Sequence, residues 1–196
     1  FEGDGYSEEW KEEALKRGLT NISHVPEAIM RFNDKQSREV LIGENIFNEN
    51  ELICRIEVEL EKFTKKVQIE SRVLGDLAIN HIVPTAVIYQ NRLLENLRGL
   101  RETFSQVEYE MLGADRRELV KEIQFRILEI KQLVREMTEA RRISNRLTSQ
   151  VEKAYSYEEK VRPYMEQIRE HIDHLELEID DEIWPLPKYR ELLFTK

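Results

Sequence analysis

The sequence predicts an all-α protein of long antiparallel helices, and three observations carry that prediction. Apolar side chains recur at spacings of three and four through most of the chain between Ile53 and Ile179. Glycine and proline are sparse, 7 and 5 of 196 residues, so few positions punctuate a helix. Charged residues make up 35% and aromatics 8%, a composition that favours long solvated helices in thin helix-on-helix packing. The expected architecture is a three-helix up-down-up bundle, its first helix kinked near Pro84, preceded by short N-terminal helices.

Residues 1–47 read as a linker or strap with short helices and little core of its own. Ser7 can cap a helix whose first turn carries Glu8 and Glu9, and Gly18 ends it. Pro26 suits the first turn of a second helix reaching about Phe32, and Gly43 punctuates again.

Residues 48–183 read as the long-helix bundle. Asn48 and Glu51 have capping-box spacing, and Phe47 and Leu52 are placed for a hydrophobic staple. A heptad-like seam follows: Ile53, Ile56, Leu60, Phe63, Val67, Glu70, Leu74, Leu77 and His81. Pro84 lacks a backbone donor and crowds the preceding turn, so a kink or break is expected near His81–Pro84. Ala86, Tyr89, Leu93, Leu97, Leu100 and Phe104 resume the stripe. Gly113 marks a turn. A second long helix is expected from Asp115 to Ala154, with Val120, Ile123, Ile127, Ile130, Val134 and Met137 inside, the stripe then shifting to Ala140, Ile143, Leu147 and Val151. Ser156 and Glu159 offer a capping box for the third helix, or Pro163 starts it; Val161, Tyr164, Ile168, Ile172, Leu175 and Ile179 form its stripe. Short connections force such neighbours to run antiparallel. Residues 184–196 read as a tail: Trp184-Pro185-Leu186-Pro187 ends the helix, and Lys188–Phe194 forms a last turn or two.

Composition narrows the function. The net charge is −9, and the basic pairs Lys65-Lys66, Arg116-Arg117 and Arg141-Arg142 are flanked by carboxylates, so no concentrated positive face for nucleic acid is expected. The sequence holds no apolar run of about 18 residues, so no membrane partner is expected either. Cys54 is alone and has no zinc spacing around it, which fits a reducing cytoplasm. A start at Phe1 instead of Met suggests a part of something longer.

Chemistry is hard to find. No phosphate loop and no nucleophile elbow occurs. His171, His174 and Glu178 share a helix face at metal-compatible spacing, but Arg169, Glu170, Asp173 and Glu176 surround them, and surface ion pairing is the better reading. A di-iron bundle needs Glu-x-x-His on two helices, and the motif is absent. His81, beside Asn80 and before Pro84, reads as a buried, hydrogen-bonded histidine at a helix break. Glu70 on the seam is expected to pair with Arg72, Arg92, Arg98 or a residue across an interface. Trp184 reads as a packing anchor. No catalytic, cofactor-binding or metal-ligating residue is assigned.

Three irregular strings carry a resemblance. VQIESRVLGDLAINHIVPTAVIYQNRLLENLRGL, from Val67, resembles the C-terminal region of type III glutamine synthetases. GDGYSEEWKEEALKRGL looks like the segment leaving that family's catalytic domain, and DDEIWPLPKYRELLF like its end of chain. The resemblance spans essentially the whole chain. It implies a cytoplasmic homo-oligomer, built of stacked hexameric rings, that joins ammonia to glutamate using ATP with Mg or Mn. It implies that the catalytic motifs lie upstream, so this region holds no cofactor and serves packing, assembly or regulation. Its implied partners are the catalytic domain of the same chain and neighbouring subunits. The alternative is a free-standing coiled-coil adaptor, motivated by the seams at Ile53–Leu77 and Val120–Met137. A small-ligand sensor centred on Glu70, Asn80 and His81 is the third reading.

Overall fold

A computed structural model describes residues 3–193, and these are helical with no strand among them. They divide into two compact units. One is the chain up to Lys66 together with Leu147–Glu158; the other is Val67–Arg146 together with the chain from Glu159 on.

In the first unit, α1 (Glu8–Lys16) starts at Ser7, whose Oγ accepts from the Trp10 N–H at 3.3 Å. Gly18, at φ +72°, turns the chain out of it. α2 (Val25–Met30) has Pro26 in its first turn and tightens into a 3₁₀ turn over Arg31–Asn33. α3 (Lys35–Gly43) was not anticipated. α4 (Glu49–Leu77) begins at the expected capping box: the Glu51 N–H donates to Asn48 Oδ1 at 2.9 Å, and the Asn48 N–H to Glu51 Oε2 at 2.8 Å. Leu52, Ile56, Leu60 and Ala154 form the unit's core. Ile29, Met30, Leu41, Ile42 and Phe47 pack against it, so the N-terminal helices wall this core and Phe47 takes up the staple position beside Leu52.

In the second unit, the end of α4 passes through a π turn (Ala78–Ile82) into α5 (Val83–Thr103). At the expected kink or break near His81–Pro84 the helical path is irregular but not ended. The Val83 N–H reaches Ala78 O, one residue further back than in an α-helix, and the widened turn accommodates the proline in the first turn of α5. α6 (Gln106–Leu112), also unanticipated, is closed at its start by a Ser105–Glu108 capping box. α7 (Ala114–Ser144) follows, and α9 (Arg162–Glu178) begins with Pro163 in its first turn, as the proline position suggested.

Between α7 and α9 lies a correction. The expected helix through Ala154 stops at Ser144, and a separate α8 (Gln150–Lys160) starts after Ser149, whose Oγ accepts from the Glu152 N–H at 3.4 Å. Ser156 therefore starts no helix; it is buried inside α8. No glycine or proline marks this stop. After α9 the chain buries Trp184 and ends its described part with α10 (Tyr189–Leu192); Phe194, expected in that turn, lies outside the described residues.

Direction within the second unit follows from its pairings. Gln68 meets Asn145, Gly75 faces Val134 and Met137, and Gln90 meets Val120, so α4–α5 runs antiparallel to α7. His171 meets Arg126, while Pro163 and Tyr164 share a groove with Ala140 and Ile143, so α9 runs antiparallel to α7 as well. Three long runs thus alternate in direction around α7. Its buried side chains Ile123, Ile127, Ile130, Leu133 and Met137 hold the centre, each contributing about 1.5–3 kcal/mol by leaving water.

Candidate functional site

Glu70, Asn80 and His81, the centre of the sensor reading, do not converge. Past Val67, the buried face of α4 and the π turn is Ser71, Gly75, Ala78 and Ile82. The expected seam through Glu70, Leu74, Leu77 and His81 is therefore about one residue out of phase. Glu70 and His81 are exposed, Leu74 and Leu77 half-buried, and Ile53 further up the helix is exposed too. The reason is close packing. A Cβ on Gly75 would stand 3.4 Å from Met137 Cε and 3.5 Å from Val134 Cγ1, so small residues let α4 approach α7 closely, and a pattern of bulky apolar residues misses them.

Glu70 and His81 are eleven residues apart, about 16 Å along a helix, too far to act on one small ligand through a single side-chain shell. Asn80 donates to Asp76 Oδ1 at 2.6 Å on its own helix. The His81 carbonyl accepts from Thr85 Oγ1 at 2.9 Å, which occupies an acceptor beside the proline. Glu70 is engaged in a polar or electrostatic contact. Arg92, one of its expected partners, instead meets Asp180 at 3.3 Å. The Gln90 Nε2 donates to Val120 O at 3.1 Å and lies 3.4 Å from Gln124 Oε1, tying α5 to α7.

The histidines of α9 separate. His171 turns toward α7, with Nδ1 3.3 Å from Arg126 Nη1 and its ring edge-on to Phe125 at 6.0 Å. Burial and then the adjacent Arg126 guanidinium hold its pKa below the ordinary 6.5. His174 is exposed on the outer face beside the Arg169–Asp173 ion pair, 3.4 Å long. No group of three or more His, Cys, Asp or Glu is gathered as metal ligands among the described residues. Cys54 is exposed. Trp184 is buried with Lys188 Nζ 6.0 Å from its ring centroid, and that ammonium also donates to Glu176 O at 2.8 Å and pairs with Asp181.

Two features escaped the sequence reading. His24 Nδ1 lies 3.0 Å from Oε1 of Glu158, a buried carboxylate on α8. At the α6–α7 corner, the Arg117 guanidinium lies over the Tyr109 ring at 5.1 Å and donates to Tyr109 O and Glu110 O at 3.3 and 2.8 Å. It satisfies carbonyls at the end of α6. Neither pairing has a local sequence signal. The pockets among the described residues are open grooves between packed helix faces. No helix among the described residues is long and apolar enough to cross a membrane.

Comparison with known proteins gives a consistent picture. Residues 1–101 match the glutamine synthetase C-terminal domain family. The chain is 73% identical over 196 residues to a glutamine synthetase of Bacteroides fragilis (strain YCH46), covering all of this chain and 27% of that protein. It is 30% identical over 202 residues to the type-3 glutamine synthetase of Dictyostelium discoideum, again covering all of this chain and 27% of that protein. A glutamine synthetase of Butyrivibrio fibrisolvens is 31% identical over 97 residues, half of this chain and 14% of that protein. The chain thus spans about a quarter of the length of the Bacteroides fragilis and Dictyostelium discoideum relatives.

Proposed function

The chain belongs to the glutamine synthetase C-terminal domain family, and on that premise we propose that it is the non-catalytic helical domain of a cytoplasmic type III enzyme that ligates ammonia to glutamate with ATP. In this reading the domain serves subunit packing, assembly or regulation of a homo-oligomer, and ATP and Mg or Mn are bound by the catalytic domain that accompanies it. The observation that carries the reading is the 73% identity along the full chain to a protein named glutamine synthetase. The chemistry of the described residues supports it: histidines and carboxylates are engaged in helix-to-helix pairing and capping, as at His24–Glu158, Arg126–His171 and Ser105–Glu108.

Two measurements test it. The whole chain, assayed for γ-glutamyl transfer with ATP and Mn, is expected to give no turnover; appreciable turnover overturns the non-catalytic reading. Deleting the corresponding region from the full-length Bacteroides fragilis relative is expected to change its native mass or its response to effectors. Unchanged mass and unchanged kinetics overturn the assembly-or-regulation reading. The adaptor alternative draws no support from the α4 seam, because Ser71, Gly75 and Ala78 bury that face inside the second unit.

A further inference from the structure

The groove between α5 and α7 beyond the Gln90 bridge is cationic, in a chain whose net charge is −9. Leu94, Leu97 and Val120 floor it, and Arg98, Arg101 and Lys121 stand along its rim. It encloses about 400 Å³, and no carboxylate lines it. Arg98 and Arg101 have no ion-pair or hydrogen-bond partner among the described residues. Lys121 meets only Glu118 of its own helix, and both side chains are mostly exposed.

The outer face of α9 has the opposite character. Glu166, Glu170, Asp173 and Leu177 follow at spacings of four, three and four, so they form one stripe. Leu177 is 83% exposed at the end of that stripe, an apolar knob behind carboxylates. The two faces share a repeat distance. Leu94 and Arg101 are seven residues apart on α5, and Glu170 and Leu177 are seven apart on α9; each span is two turns, about 10.5 Å. Laid antiparallel, Leu177 falls over Leu94 and Leu97 while Asp173 and Glu170 reach Arg98 and Arg101.

We propose that the α5–α7 groove of one copy receives the outer face of α9 from a second copy. The proposal deepens the assembly reading above and rests on it. The two patches differ, so a single such contact between two copies is heterologous and runs head to tail. The leucine contact supplies apolar burial, and the arginine–carboxylate pairs set register and reject a shifted or reversed docking. Arg169 flanks the stripe and pairs with Asp173, but that exposed pair within one helix is weak, so Asp173 exchanges it for Arg98 at little cost.

The test is analytical ultracentrifugation of the whole chain from micromolar to millimolar concentration. Reversible self-association is expected. Arg98→Glu with Arg101→Glu should weaken it roughly tenfold or more, because two attractions become repulsions, and Leu177→Ser should weaken it as well. Adding Glu170→Arg and Asp173→Arg to the Arg98→Glu, Arg101→Glu chain should restore it. All five positions are exposed or on a groove rim, and far-ultraviolet dichroism checks folding; if the glutamate variants unfold, Arg98→Gln with Arg101→Gln reads the same surface. A chain monomeric at every concentration, association indifferent to the arginine changes, or no restoration by the charge swap each overturns the proposal. Such a failure leaves the assembly reading standing, since that reading falls only if deletion from the full-length relative changes nothing.

Discussion

Nδ1 of His24 lies 3.0 Å from Oε1 of Glu158, and the two side chains are 58% and 5% exposed. A buried carboxylate needs polar partners, because desolvation is not returned otherwise. His24 also stands at the start of α2, so this pair fixes where that helix meets α8 within the first unit. Glu158 has a further contact besides His24, which limits the loss when His24 is removed. His24→Ala is expected to lower the unfolding free energy by about 1 kcal/mol in urea titrations. His24→Asn keeps a donor near the carboxylate and should lose less. Equal losses for the two variants would show that the hydrogen bond is not what matters.

His171 provides a pH-dependent readout. Burial first, then Arg126, favours its neutral form in the folded protein, so its pKa lies below 6.5. The sign follows from linkage. The unfolded chain takes up this proton at higher pH than the folded one, so the contribution is fully present above pH 6.5 and is lost as pH falls from there through the lowered folded pKa. A ¹H–¹⁵N titration of the imidazole is expected to give a midpoint below 6.5, and Arg126→Leu should raise it. A midpoint unmoved by that substitution would sink the electrostatic part of the account.

How much was legible in advance depended on the kind of signal. Local chemistry read well: Ser7, Pro26, the Asn48–Glu51 box and Pro163 stand where short-range capping rules put them. The phase of α4 did not. Leucine and isoleucine define a stripe by bulk, but the buried face runs through residues that lack it, Ser71, Gly75 and Ala78, which leaves Glu70 and His81 in solvent. The stop at Ser144 was hidden for a related reason. No breaker residue marks it; the boundary between the two compact units falls shortly after it, between Arg146 and Leu147. The pairings His24–Glu158 and Arg126–His171 join residues far apart in sequence, and no local pattern announces them.

The capping box of α6 should show itself at low pH. The Ser105 hydroxyl and then its backbone N–H hold the Glu108 carboxyl below its usual value. Its contribution is therefore present above the ordinary carboxylate pKa and is lost as pH falls through the lowered one. The protection of the Gln106–Leu112 amides, relative to their intrinsic exchange at each pH, is expected to fall as the carboxylate protonates, and Ser105→Ala should bring that low protection to neutral pH. Exchange that stays equally slow in the variant would mean that packing on α7, and not the cap, orders this helix.

Gly75 and Gly113 separate two reasons for a glycine. A Cβ at Gly75 would reach ordinary van der Waals contact with Met137 and Val134, so space exists for one methyl and no more. A Cβ at Gly113 would stand 3.0 Å from the backbone oxygen of Tyr109 and 3.1 Å from both Arg117 Nη1 and Leu97 Cδ2. Gly75→Ala removes a helix-interior glycine, worth about 0.5–1 kcal/mol, and should raise the melting temperature. Gly75→Leu overfills the α4–α7 contact and should cost about 1–3 kcal/mol. Gly113 is the cap residue between α6 and α7, so Gly113→Ala gains no interior propensity and meets a carbonyl that cannot move without unwinding the end of α6; it should lower the melting temperature. Calorimetry of the three variants discriminates the two cases. A destabilised Gly75→Ala would mean that the α4–α7 approach is tighter than 3.4 Å allows, and that the small-residue face, not the bulky one, sets the register of the bundle.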